Sequence, residues 1–495
     1  MFRKKLKARG GQEKKEPLHS IENAAVTIDA LRQLLANMDD AEIIERQTAK
    51  GQKVTFLYIG TLIDQERLNE SVIEPLMRYS DHTVYECISS SKISKVTTLE
   101  DAQKQLMLGS ILLNDSLQNE WWAVLLENPL SRSIETSEQE TILYGAKDSF
   151  SEQLEQNITL IRRRIPLTQL KAEKFTVGSL SETTIVLMYI EGLTNPEYIS
   201  IARNRISNID YDLFLDSSQV AAFMEDHTHS IFPQYQQTDR PDVCAFSLGS
   251  GKLTILVSNT PFALIAPITF FHLFQSPEDY INRWLVASFL RCLRYLSFFL
   301  SVTLIPIYVA VTTHHYQMMP MQILFVLVES RSKLPFTPFW EAFVILIILE
   351  IIKEASLRMP TKSSQTLGVI GGIVIGQAAV EAGFASKVLI VMAGISAIAS
   401  FLVPNYLMTK ANTLIQFAFL LLSSFLGIIG IMFGMVGILA HLNGLTSLKQ
   451  PYFAPVAPFY WKDWMDLFIR GPLIKMKIRP EHLHPLRKWR YSGRR

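Results

Sequence analysis

Cysteine is scarce: Cys87, Cys244 and Cys292 are the three in a chain of 495 residues. They are too few and too scattered for a disulfide framework or a cysteine-rich zinc site, and they fit a reduced, non-secreted soluble part. Formal charge is also thin. Asp, Glu, Lys and Arg make up 19% of the chain against 48% hydrophobic residues, a balance too apolar for disorder and too charged for a chain embedded wholly in a membrane. A hybrid of soluble and membrane parts is expected. The basic start, MFRKKLKARGGQEKK, has no apolar run of signal-peptide length behind it, which predicts that the first half stays on the cytoplasmic side.

Catalytic and metal-binding patterns are missing too. Residues 16–280 show no Ser-His-Asp or Cys-His arrangement, so neither an enzyme nor a cofactor is expected. GSGK at 249–252 departs from a phosphate loop, because Phe246 stands where the first Gly belongs and Leu253 where a magnesium-binding Ser or Thr belongs. It is read as a hairpin turn. His314 and His315 have no acidic or cysteine neighbour at metal spacing and are read as a polar flank at a membrane interface. No inverted repeat of membrane segments is visible, which argues against a stand-alone transporter.

The charge that is present is unevenly divided. Residues 1–290 hold 28 Lys+Arg and 38 Asp+Glu (net −10), whereas residues 291–495 hold 20 and 8 (net +12). The first half reads as mixed α and β. An amphipathic stretch at 28–38 precedes the β-branched run KVTFLYIG at 53–60, and a helical pattern follows at 68–79. WWAVLL at 121–126 and TTIVLMYI at 183–190 are apolar without alternation, the mark of strands covered on both faces. Residues 243–267 are read as an antiparallel meander turning at GSGK and SNTP. One helix is drawn from a Ser149/Glu152 capping box through Leu154, Ile158, Ile161 and Ile165. Arg162, Arg163 and Arg164 fall in its last turn, either as a solvated helix end or as a docking surface for a partner or lipid headgroups.

The second half reads as membrane helices. Residues 295–313 run 19 positions without a charge, enough to cross a bilayer core of about 30 Å. Residues 367–380, 388–404 and 414–442 follow as further spans, the last of 29 residues. Residues 336–352 are apolar but contain Glu341 and Glu350, and are expected to be re-entrant or interfacial. The tail, 445–495, holds 11 Lys+Arg against 3 Asp+Glu, which predicts a cytoplasmic tail and an even number of crossings.

The expected fold class is an α/β cytoplasmic region of two subdomains, meeting near 128–145, followed by an all-α integral membrane domain. The boundaries are a basic tail at 1–15, subdomains at 16–135 and 136–285, a helical domain at 286–445 and a basic tail at 446–495.

Several polar or small residues in the helical part are candidate functional positions. Glu341 sits in a first helical turn opened by Thr337 and Pro338, where the helix dipole suffices to hold it. Glu350 and Glu354 share one face about 180° from Glu341. Glu350 faces either a hydrated path or the interface near Lys353. Glu381 is a further membrane carboxylate. Gln365, Gly368, Gly372, Gly376 and Ala379 form a stripe of small or polar residues that either packs helices closely or lines a narrow pore. Gly427, Gly430, Gly434 and Gly437 repeat the device, and there packing is the reading.

Seven ordered blocks then resemble one family: GAKDSF and NITLIRRRI at 145–165, GLTNPEYI at 192–199, RPD at 240–242, TPFALIAP at 260–267, SPEDY at 276–280, IGQAAVEAG at 375–383 and PYFAPVAPF at 451–459. Together they resemble the A subunits of GerA-type spore germination receptors over nearly the whole chain from about residue 50. The resemblance implies a place in the spore inner membrane, beside a transporter-like B subunit that binds the nutrient and a lipoprotein C subunit. It further implies a homo-oligomer, a pentamer, forming a nutrient-gated ion channel, with the lipid bilayer as a partner and no nucleic acid. A membrane transporter acting alone or a membrane-anchored signalling protein without channel activity is the alternative.

Overall fold

The computed structural model describes residues 25–47, 53–78, 88, 92–115, 120–129, 145–332, 334–358 and 376–490. The basic segment 1–15 and most of the expected junction at 128–145 lie outside the described residues.

The first subdomain is built on strands β1 (Ala41–Gln47), β2 (Lys53–Ile59), β3 (Ile93–Val96), β4 (Ser110–Asp115) and β5 (Glu120–Leu125). They pair antiparallel in the order β1-β2-β4-β5-β3. The unbroken apolar run of β2 has two faces to cover. Leu57 and Ile59 pack with Leu31 and Leu106, from helices Ile28–Leu34 and Leu99–Met107. Val54, Phe56 and Tyr58 point the other way, onto Leu68 and Val72. Thr98 starts the second of these helices by accepting the Asp101 backbone N–H.

The second subdomain repeats the arrangement with β6 (Leu170–Val177), β7 (Thr183–Ile190), β8 (Gln236–Thr238), β9 (Leu253–Val257) and β10 (Ala263–Ala266), antiparallel in the order β6-β7-β9-β10-β8. Ile185 and Leu187 meet helix Pro196–Ser207 on one face, and Val186 and Met188 meet helices Leu154–Arg164 and Pro241–Ser250 on the other.

Two local expectations are overturned here. Residues 241–250 are a helix, not the first strand of a meander. Pro241 fits the first turn, where its missing N–H costs nothing, and Gly251 closes the helix at φ +100°. GSGK is therefore a helix cap rather than a hairpin turn. The capping box is also absent: the helix begins at Leu154 with no side-chain cap. Instead Asn157 folds back to accept the Ser151 N–H at 2.9 Å and donate to its carbonyl at 2.6 Å.

The subdomains are joined by more than a linker. Asp39 N–H donates to Ala172 O at 2.9 Å, Ala172 N–H donates to Asn37 O at 3.2 Å, and Thr159 Oγ1 donates to Thr61 O at 2.6 Å.

The remaining chain is mostly helical. Trp284–Thr313 is 30 residues long, about 45 Å at 1.5 Å per residue. It and Tyr406–Leu426 are the two described helices long and apolar enough to cross a membrane, and Lys387–Phe401 and Ile428–Gly444 are shorter apolar ones. Cross-helix contacts fix directions. Ser301 with Asn412 and His314 with Ser424 make the two long helices parallel. Tyr308 with Ser386 and Ser301 with Ser396 set Lys387–Phe401 antiparallel to both. Pro338–Leu357, read from sequence as re-entrant or interfacial, is a regular helix of 20 residues that carries Glu341, Glu350, Lys353 and Glu354.

The 29-residue span expected at 414–442 is two helices, folded back on each other at Gly427 (φ +61°). A Cβ at Gly430 would lie 2.2 Å from Leu422 O, and one at Gly434 2.6 Å from Phe419 Cε1. The missing side chains let the second helix lie against the first. Its far end returns to the second subdomain, where His441 Nε2 lies 3.1 Å from Ser230 Oγ.

The basic tail is folded rather than free. Tyr452 OH donates to Pro233 O at 2.6 Å and Arg479 Nε to Gly249 O at 2.8 Å, while Leu448 joins the core of the second subdomain.

Candidate functional site

Helix Pro338–Leu357 divides its acids between two neighbours. Glu341, 1% exposed, accepts a hydrogen bond from the Ser386 backbone N–H, the first donor of helix Lys387–Phe401, and lies 3.9 Å from Arg331. Its carboxylate thus caps a second helix besides meeting the dipole of its own. Glu350 and Glu354, on the opposite side, face helix Tyr406–Leu426. Glu354 pairs with Lys410 at 2.7 Å and Arg358 at 2.9 Å. Glu350 pairs with Lys353 at 2.6 Å and accepts from Thr413 Oγ1 at 3.3 Å.

Behind Glu350 runs a polar seam. Gln416 Nε2 donates to Ser396 Oγ at 2.9 Å, Ser396 Oγ to Ser301 O at 2.9 Å, and Asn412 Nδ2 to Ser301 Oγ at 2.6 Å. These four residues are buried, and Asn412 Oδ1 has no hydrogen-bond partner among the described residues. A cavity of about 10 Å³ lies between Glu350, Ser396, Ser400, Thr413 and Gln416, close to the least space that holds one water. Four helices thus bring a carboxylate, two amides and two hydroxyls to one line in otherwise apolar surroundings, where such groups are costly unless hydrated or bonded. The sequence reading found Glu350 and missed the seam. Its signal was the i, i+4 pair Asn412 and Gln416 in a helix whose one charge is Lys410.

The glycine stripe is only partly described. Gln365, Gly368 and Gly372 lie outside the described residues. Gly376 and Ala379 are on helix Gly376–Glu381. A Cβ at Gly376 would stand 3.8 Å from Ile390 Cγ2, an ordinary packing distance, and Ala379 packs beside Leu389 and Ala385. Glu381 is exposed and accepts from Gln377 Nε2 at 2.9 Å. His314 and His315 pack on the Gly427 corner, His314 Nε2 lying 2.8 Å from Ser424 O.

Arg162, Arg163 and Arg164 do not form one docking surface. Arg162 is 1% exposed and bonds Asp40 through Nε at 2.6 Å and Nη2 at 2.7 Å. Arg163 reaches Asn128 O, and Arg164 pairs with Asp148 at 2.6 Å. Arg162 and Arg163 reach the first subdomain and Arg164 does not, because three successive side chains leave a helix at about 100° intervals and meet different walls.

A second charged cluster ties the soluble half to the first long helix. Asp279, 1% exposed, accepts from Arg291 Nε at 2.9 Å and Arg294 Nη1 at 2.8 Å. Arg291 also pairs with Asp466 of the folded tail at 2.8 Å. Sequence spacing gave no hint of it, since the partners come from three separate segments. Among the described residues no group of His, Cys, Asp and Glu is placed to hold a metal ion.

Known proteins match this chain over most of its length. The profile of the Bacillus/Clostridium GerA spore germination protein family matches residues 29–482. Spore germination protein GerQA of Bacillus cereus is 35% identical over 475 residues, 95% of each chain. Spore germination protein KA of Bacillus subtilis (strain 168) is 33% identical over 480 residues, 95% of this chain and 88% of that one. The crystal structure of the N-terminal domain of the A subunit of the Bacillus megaterium spore germinant receptor GerK3 is 27% identical and covers 49% of this chain and 93% of that one, with a TM-score of 0.38. From residue 29 to residue 482, sheets and apolar helices alike, the chain belongs to the GerA family of spore germination proteins.

Proposed function

We propose that the chain is the A subunit of a nutrient germinant receptor in the spore inner membrane, and that copies of it, five by family resemblance, form a nutrient-gated ion channel whose opening triggers germination. It works beside a transporter-like B subunit that binds the nutrient and a C-subunit lipoprotein, and does no covalent chemistry itself. Both soluble parts lie on the spore core side, which requires an even number of crossings.

One observation carries the reading: the line of Glu350, Gln416, Ser396 and Asn412 between apolar helices. A purely structural bundle has no need of a carboxylate there, whereas ion conduction needs polar groups that replace water without holding the ion too tightly. The stripe of Gln365, Gly368, Gly372, Gly376 and Ala379 is the proposed surface where copies meet around the axis. Glu350→Gln in spores is expected to slow nutrient-triggered ion release several-fold, or change which ion leaves first, at near-normal protein abundance. Wild-type release kinetics in that variant would return Glu350 to an interfacial role.

A further inference from the structure

Two adjoining cavities, of about 270 and 340 Å³, open where the second soluble subdomain, the approach to helix Trp284–Thr313 and the folded tail meet. His272, Gln275, Asp466, Pro480 and Arg490 line both, so they are lobes of one pocket. It lies apart from the seam around Glu350, and nothing in the channel reading uses it.

Its charges are unbalanced. The carboxylates in its wall are already paired: Asp242 with Arg240 at 2.7 Å, Asp466 with Arg291 at 2.8 Å and Asp463 with His482 at 2.7 Å. Several donors in the wall keep free positions. Lys252 is 5% exposed and lines the first lobe, and its ammonium has no hydrogen bond or salt bridge to any described residue. Burial pushes it down to about 7, and longer-range attraction to Asp466 restores it only in part. In the second lobe His482 Nε2 and Arg490 Nε are buried without partners among the described residues. His272 Nδ1 accepts the Thr269 backbone N–H at 2.9 Å, so in the neutral ring the hydrogen sits on Nε2, which is then a donor. The wall also offers apolar surface, with Phe246 and Tyr280 tilted at 42° and their ring centroids 4.7 Å apart in one lobe and Trp461 and Met476 in the other.

A buried ammonium without a counter-ion is costly, and a ligand that supplies one relieves that cost. We propose that this pocket binds a small organic anion, with its carboxylate or phosphate held by Lys252, His272 and Arg490 and its apolar body against Phe246 and Tyr280. The occupant touches soluble subdomain and tail together. Through Asp466, which Tyr280 OH reaches at 2.8 Å, it bears on Arg291 and so on the foot of the long helix.

A soluble metabolite and an anionic lipid headgroup both offer this chemistry, and one experiment separates them. The full chain is placed in phosphatidylcholine nanodiscs and titrated with benzoate and phenyl phosphate, with benzyl alcohol as the uncharged control. Saturable binding of an anion but not of the alcohol is expected, weakened about tenfold or more by Lys252→Met, the effect of losing a hydrogen-bonded charge. Arg490→Gln, on the half-buried tail, is expected to weaken it likewise and decides the matter if Lys252→Met fails to fold. If phosphatidylglycerol added to the nanodiscs is retained by the wild type, lost from the variants and displaces the probes, the anion is a lipid headgroup. No saturable binding of either probe together with no selective lipid retention, or binding indifferent to both substitutions, overturns the proposal.

Discussion

Asp40→Ala is expected to destabilise the soluble half by about 3–5 kcal/mol, because it strands the Arg162 guanidinium in a site closed to water. Asp40 and Arg162 side chains are 1% and 0% exposed and meet through two hydrogen bonds of 2.6 and 2.7 Å, with Thr61 donating to the same carboxylate at 3.0 Å. A loss of that size is a large part of the roughly 5–15 kcal/mol that holds an ordinary domain folded. Protein abundance in the membrane should fall sharply, and protease should cut between the subdomains. The paired change Asp40→Leu with Arg162→Met removes both charges and should recover most of the loss. Denaturation of the soluble half followed by circular dichroism measures all three. If the double variant is no more stable than Asp40→Ala alone, the ion pair is not what joins the subdomains.

Those two residues show what a sequence alone reveals. The arginine triplet was visible, and its placement in a last helical turn was right for Arg162 to Arg164. Its purpose was hidden, because the partner of Arg162 is 122 positions away. Elements whose pattern is local were legible: β5 and β7 were read from unbroken apolar runs, and each is covered on both faces. Helix Pro241–Ser250 was misread because its ends carry turn residues and its sequence, PDVCAFSLGS, has no clear apolar stripe. The fold-back at Gly427 was invisible for a related reason: hydropathy does not change across it, and only the φ of one glycine separates a 29-residue rod from a hairpin. At the seam, lone polar residues on four helices mean little until packing aligns them.

The second large effect is expected at Asp279. Asp279→Asn takes from Arg294 its paired countercharge, leaving it the Phe274 carbonyl at 3.2 Å among the described residues, and takes from Arg291 one of its two. Removing one member of such a buried cluster costs about 3–5 kcal/mol. Asp466→Asn should cost clearly less, since the Asp466 side chain is 22% exposed and Arg291 retains Asp279. The cluster holds the folded tail against the foot of the first long helix, so the Asp279 variant should release residues 461–490 to limited proteolysis while the Asp466 variant stays largely protected. Equal cleavage of the two would mean that the tail is held by its apolar contacts, such as Leu467 in the core beside Phe271 and Phe274.

The proposal of a channel is tested most directly by electrical recording. The chain is purified with the B- and C-type subunits proposed above, inserted in a planar bilayer and exposed to the nutrients that trigger the parent spores. Discrete nutrient-dependent current steps are expected, with unit conductance or ion selectivity altered in Glu350→Gln and no steps when this chain is omitted. An assembled complex that passes no discrete current with nutrient present, or one whose currents persist without this chain, would contradict the assignment of the ion path to its helices.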